Sequence, residues 1–84
     1  VNSMDISDNK ISDLHFLDGF DTLLELVCNN NKLGDSSRFP FLPSLRCLHL
    51  CKNEFTNLDL LINKIATCFP SLELLSLTGK KINK

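Results

Sequence analysis

Apolar and polar positions along this chain follow one pattern, written four times. The clearest copy is Leu45-Arg46-Cys47-Leu48-His49-Leu50-Cys51-Lys52-Asn53-Glu54-Phe55, apolar at positions 1, 4, 6 and 11, with asparagine at position 9. One copy upstream the matching residues are Leu23, Leu26, Cys28, Leu33 and Asn31; the copy before that has Val1, Met4, Ile6, Ile11 and Asn9. The fourth copy brings Leu72, Leu75, Leu77 and Ile82, with Lys80 in place of asparagine. Positions 4 and 6 lie two apart, so on a strand both side chains point to one face, towards a core. Position 9 follows the strand, where backbone groups lose their ladder partners. A primary amide both donates and accepts, so Asn9, Asn31 and Asn53 are expected to satisfy those groups from one copy to the next.

The segments between copies differ. After Ile11, the residues Leu14, Leu17 and Phe20 recur at three-residue spacing, which predicts a tight helical return ended by Gly19. The second return, from Gly34 to Pro43, carries two prolines and no helical period, which predicts an irregular loop. The third return is five residues longer, and Leu58, Leu61, Ile62, Ile65 and Phe69 mark one apolar helical face. Thr56 and Asp59 have capping-box spacing at its start, and Pro70 closes it. The predicted fold is α/β: a horseshoe-shaped solenoid with short parallel strands on its inner curve and helical or irregular returns outside. It forms one domain of about four units, 1–22, 23–44, 45–71 and 72–84. Neither end shows a polar cap, so the chain reads as part of a longer protein.

In such an arrangement, positions 3, 5 and 7 point outward on the strand face. They are Ser3, Asp5 and Ser7; then Glu25, Val27 and Asn29; then Cys47, His49 and Cys51; then Leu74, Ser76 and Thr78. That face starts acidic and ends apolar, which suits a folded protein partner. Glu25, Val27, Asn29, Cys47, His49, Cys51 and Leu74 are the candidate contact residues.

Cys47, His49 and Cys51 also invite a metal reading. Same-face neighbours on a strand stand about 6.6 Å apart, however, and three of them do not converge on metal–ligand bonds of about 2.1–2.3 Å. No third group is placed to orient a Cys–His catalytic pair. Gly19, Gly34 and Gly79 match no nucleotide-binding fingerprint, so no cofactor and no catalytic residue is expected. The formal net charge of −1, with no basic stripe, disfavours direct nucleic-acid binding. No apolar run approaches the length of a membrane span. Cys28 sits at an interior position and Cys68 in the predicted helix, away from the other cysteines. A reduced, cytoplasmic protein is therefore expected.

The 22-residue period, with Leu14, Leu17 and Phe20 after the asparagine, resembles the short intracellular leucine-rich repeat family, which includes phosphatase-1 regulators and subunits of axonemes and the spliceosome. A closer resemblance runs from Leu23 to about Gly79. It covers Cys28-Asn29-Asn30-Asn31-Lys32-Leu33-Gly34-Asp35, Leu42-Pro43-Ser44-Leu45, the lengthened third return, and Leu72-Glu73-Leu74-Leu75-Ser76-Leu77. These segments resemble a branch of the family tied to endosomal and melanosomal trafficking. That resemblance implies a non-enzymatic adaptor engaging small GTPases of the Rab type. Lys80 in place of asparagine and Cys28 in place of a leucine-like residue depart from the family pattern. The alternative is a structural subunit of a large assembly such as an axoneme or ribonucleoprotein, held through the returns. On that reading, surface changes around Lys64 and Thr67 would break it.

Overall fold

The structure, a computed structural model, describes residues 2–77. Position 1 of the first copy (Val1) and the end of the fourth (Thr78, Lys80 and Ile82, with Gly79) lie outside the described residues. In chain order the elements are β1 (Ser3–Asp5), a 3-10 turn (His15–Leu17), β2 (Glu25–Val27), β3 (Cys47–His49), α1 (Leu58–Cys68) and β4 (Leu74–Ser76).

The four strands form one parallel sheet in the order β1-β2-β3-β4. Its register is the register of the sequence pattern: Met4 stands opposite Leu26, Leu26 opposite Leu48, and Leu48 opposite Leu75, all four at position 4. A one-residue slip would turn every buried leucine outward, so the apolar period alone selects this pairing. Beneath the sheet lies the core, in which Leu23, Leu26, Cys28, Leu33, Leu45 and Leu48 are fully buried.

The asparagines connect the copies. Asn53 Nδ2 donates to the backbone oxygens of Cys28 (2.9 Å), Leu50 and Cys51 (3.2 Å each), while its Oδ1 accepts from the Leu33 N–H at 3.1 Å. Asn31 does the same one copy earlier, donating to the Ile6 oxygen at 3.1 Å and accepting from the Asn9 and Ile11 N–H groups. The residue just before each asparagine takes a left-handed backbone: Asp8 (φ 62°), Asn30 (57°) and Lys52 (59°). Aspartate and asparagine tolerate that region; lysine bears the steric cost there.

Each return follows its own sequence. The first places Leu14 and Leu17 in the core through the 3-10 turn, which is capped by Asp18 and followed by Gly19 with φ 96°. Phe20, at the same spacing, is exposed. The second return contains no helix. It pushes Phe39 between Phe55 and Phe69, with ring centroids at 6.2 and 5.9 Å. The third forms α1, which buries Leu61 and Ile65 but leaves Ile62 exposed.

The cap of α1 differs from the expected one. Asn57, not Thr56, holds that place, its side chain accepting from the Leu60 N–H at 3.0 Å. Thr56 is drawn away because Asp35 accepts both its hydroxyl and its N–H, and accepts from the Asn57 N–H at 3.3 Å as well. Asp13 holds the equivalent place in the first return, accepting from the His15 N–H and from the backbone N–H and Nε of Arg38. In both returns an aspartate fastens the next return to its own, a link the apolar pattern does not announce.

Candidate functional site

Pleating of the three-residue strands sends the residues on either side of each buried leucine outward. Glu25 and Val27 flank Leu26, and Cys47 and His49 flank Leu48; the flanking residues are half-buried. Leu74, beside Leu75, is 49% exposed. Pairing then aligns these side chains into rows across the sheet. Glu25 faces Cys47 and Cys47 faces Leu74; Asp5 faces Val27, Val27 faces His49, and His49 faces Ser76.

A polar relay crosses this face. Ser3 Oγ donates to Glu25 Oε1 at 3.1 Å, Glu25 Oε2 lies 3.4 Å from His49 Nε2, and His49 Nδ1 lies 3.1 Å from Ser76 Oγ. All four strands are thereby linked from one side. Reading each position separately missed Ser3 and Ser76 as members. The signal was available in the register: Ser3 stands directly opposite Glu25 and Ser76 opposite His49, while Glu25 and His49 are diagonal neighbours within reach of long side chains.

Asn29, expected as a contact residue, also has a structural role. Its Oδ1 accepts from the Cys51 N–H at 2.8 Å, and its own N–H donates to Ser7 Oγ at 3.1 Å. Position 7 is therefore a second ladder, fastening the strand ends as the asparagines at position 9 fasten the turns. Val27 is half-buried rather than fully open, sheltered by Asp5 and His49 on either side.

The cysteines are not joined by disulfides. Burial pushes the Cys28 thiol up to about 12, with the Asp5 carboxylate adding to it, so this sulfur stays protonated and unreactive. Burial also raises Cys68, whose Sγ contacts the Phe39 oxygen at 3.9 Å. Among the described residues, no three His, Cys, Asp or Glu side chains gather closely enough to hold a metal ion. Asp5 is held below the usual carboxylate range by the Ser7 N–H and hydroxyl, and so carries its charge at neutral pH. Glu25 and Asp5 make one end of the face acidic. None of its eleven described outward positions is lysine or arginine.

Lys64 belongs to the fold rather than to a free surface. Its ammonium donates to the backbone oxygens of Asp35 (2.6 Å) and Ser37 (2.9 Å) and stands 5.7 Å from the centre of the Phe39 ring. Substitution there would report on packing of α1, which removes it as a probe of outside contacts. At the turns beyond the strands, a cleft of about 320 Å³ runs past Lys10, Lys32 and Lys52. Within it Lys32 meets Glu54 at 3.4 Å and Asn30 meets Asp8 at 2.7 Å. Among the described residues, no helix is long and apolar enough to cross a membrane.

No family model matches the chain, and no solved structure matches it. The chain is similar to the human leucine-rich melanocyte differentiation-associated protein, with 47% identity over 73 residues. That match takes in 87% of this chain and 36% of the relative, so the chain spans little more than a third of the protein it resembles.

Proposed function

We propose that the chain is a leucine-rich repeat unit of horseshoe type whose sheet face docks a folded protein, making it a non-enzymatic adaptor. The observation that carries this reading is the composition of that face. A charged end (Asp5 and Glu25) and an exposed apolar end (Leu74) lie on one rigid sheet, pre-ordered by the Glu25–His49–Ser76 relay. Concave strand faces of repeat solenoids serve as binding surfaces, and mixed polar and apolar patches suit protein partners. The similarity to a leucine-rich melanocyte differentiation-associated protein supports the repeat reading; a role in vesicle trafficking in the cytoplasm, with a Rab-type small GTPase as partner class, is proposed from the sequence resemblance alone.

A second reading draws on the returns. Phe16 (58%), Phe41 (56%) and Ile62 (45%) are exposed there. Apolar surface of this kind also serves permanent assembly, as in a structural subunit of an axoneme or ribonucleoprotein.

Affinity capture of the protein from its native cells separates the two, run beside a Val27→Arg/His49→Glu double variant and a Phe16→Ser/Phe41→Ser variant. Loss of one soluble partner with the sheet-face variant alone supports the adaptor. Loss of a stoichiometric complex with the return variant alone overturns it in favour of the structural subunit.

A further inference from the structure

Resting on the adaptor reading, we propose the kind of element the sheet face takes. It is an amphipathic helix laid across the strands, with an arginine or lysine on Glu25 and, seven residues along, an apolar side chain on Leu74. Three observations lead there.

The first is charge. Every lysine and arginine among the described residues stands away from the outward strand positions, leaving Asp5 and Glu25 as the fixed charges of the face. A basic group is the complement of that end. Glu25 can receive it: Ser3 and His49 occupy one site on each carboxylate oxygen, a carboxylate offers about four, and the side chain is 43% exposed.

The second is the apolar anchor. Leu74 lies on the same row as Glu25, joined through Cys47, and is half exposed at 49%. Its neighbours along that row are a thiol and a carboxylate, so among the described residues it has no apolar side chain to cover it within the row.

The third is spacing. Glu25 and Leu74 are two strands apart, which at about 4.8 Å per strand is roughly 9.6 Å. A helix rises about 10.5 Å over seven residues and returns to the same face. A helix crossing the strands at right angles therefore meets both residues with positions i and i+7. Spacings of i+3 or i+4 fall short at about 4.5–6 Å, and i+11 overshoots at about 16.5 Å.

The test uses labelled synthetic helical peptides and fluorescence anisotropy. One peptide carries Arg at i and Leu at i+7. Controls carry Glu at i, Leu moved to i+4, or a central proline that breaks the helix. The Arg/Leu peptide is expected to bind at least about tenfold more tightly than each control and to weaken with added salt. Glu25→Arg should invert the preference, now favouring the Glu peptide, while far-ultraviolet circular dichroism checks that the variant is folded. Equal binding of all four peptides, or no binding of any, overturns the proposal, and so does a Glu25→Arg protein that keeps its preference for Arg. The peptide-side controls need no protein variant, so a misfolded Glu25→Arg leaves the result decisive. Failure here is separate from failure of the adaptor reading: the native partner would still be lost from the Val27→Arg/His49→Glu protein, whereas a wrong adaptor reading leaves that capture intact.

Discussion

Inner and outer strands carry the same motif and reach different states. At position 4, Leu26 and Leu48 of β2 and β3 are completely buried, while Met4 of β1 and Leu75 of β4 are only half covered. At position 9, Asn31 and Asn53 are buried and reach across to the preceding copy, while Asn9 is exposed and bonds only within its own turn through Nδ2. The residues are alike; the number of neighbouring strands is not. In a stacked array the energy of a motif resides in the contact between copies as much as in the copy itself.

Three pairs of substitutions test that comparison by stability to urea. The largest contrast belongs to the leucines. Leu48→Ala removes a side chain enclosed on both sides and should cost about 2–5 kcal/mol. Met4→Ala, at a half-covered site, should cost roughly half of that or less. Equal losses would mean that β1 is as firmly held as β3 and that position in the stack is irrelevant.

Next come the amides. Asn53→Ala deprives the oxygens of Cys28, Leu50 and Cys51 of a donor and leaves the buried Leu33 N–H without its acceptor. Unpaired buried groups make this worth about 2–3 kcal/mol. Asn9→Ala opens groups that water reaches, and should cost below about 1 kcal/mol. A smaller contrast is expected between two lysines. Lys64→Met uncovers two carbonyl oxygens of the second return and should cost about 1–2 kcal/mol. Lys32→Met removes an exposed pair with Glu54 and should cost no more than about 0.5 kcal/mol.

Much of this arrangement was written in the sequence because its period is long and repeated. The apolar positions fix strand register, the asparagines announce their own ladder, and α1 shows its apolar face. What escaped was local competition for hydrogen bonds. Thr56 and Asn57 both suit a helix cap, and nothing in the apolar pattern says that Asp35 takes the threonine. Ile62 fits the period of α1, yet its place on the helix puts it at the edge of the buried stripe. The relay on the sheet face was half legible. Position numbers place Glu25 and His49 outward, but their contact is diagonal and depends on rotamers that no repeat pattern encodes. For the same reason the outward position of Asn29 was legible while the bond from the Cys51 N–H to its amide oxygen was not.

Asp13 and Asp35 give the most specific effect, because it changes with pH. The two occupy equivalent places in successive returns, each accepting N–H groups from the return that follows. The His15 N–H, followed by the N–H and guanidinium of Arg38, holds the Asp13 carboxyl down to about 2. In the unfolded chain the same carboxyl titrates near its ordinary value of about 3.9. Its contribution to stability is therefore complete above about pH 4 and is lost as pH falls towards 2, where the folded form also takes up the proton. Asp13→Asn should be less stable than the parent at pH 7, and the gap should close between about pH 4 and 2. Arg38 is largely exposed, so salt should weaken its share of the effect and leave the His15 share. Asp35 is shifted the same way, chiefly by Thr56, so Asp35→Asn should show a second acid-dependent gap. Parallel pH curves for parent and both variants would show that the returns are held by packing alone, and that these aspartates are surface residues whose bonds water replaces without loss.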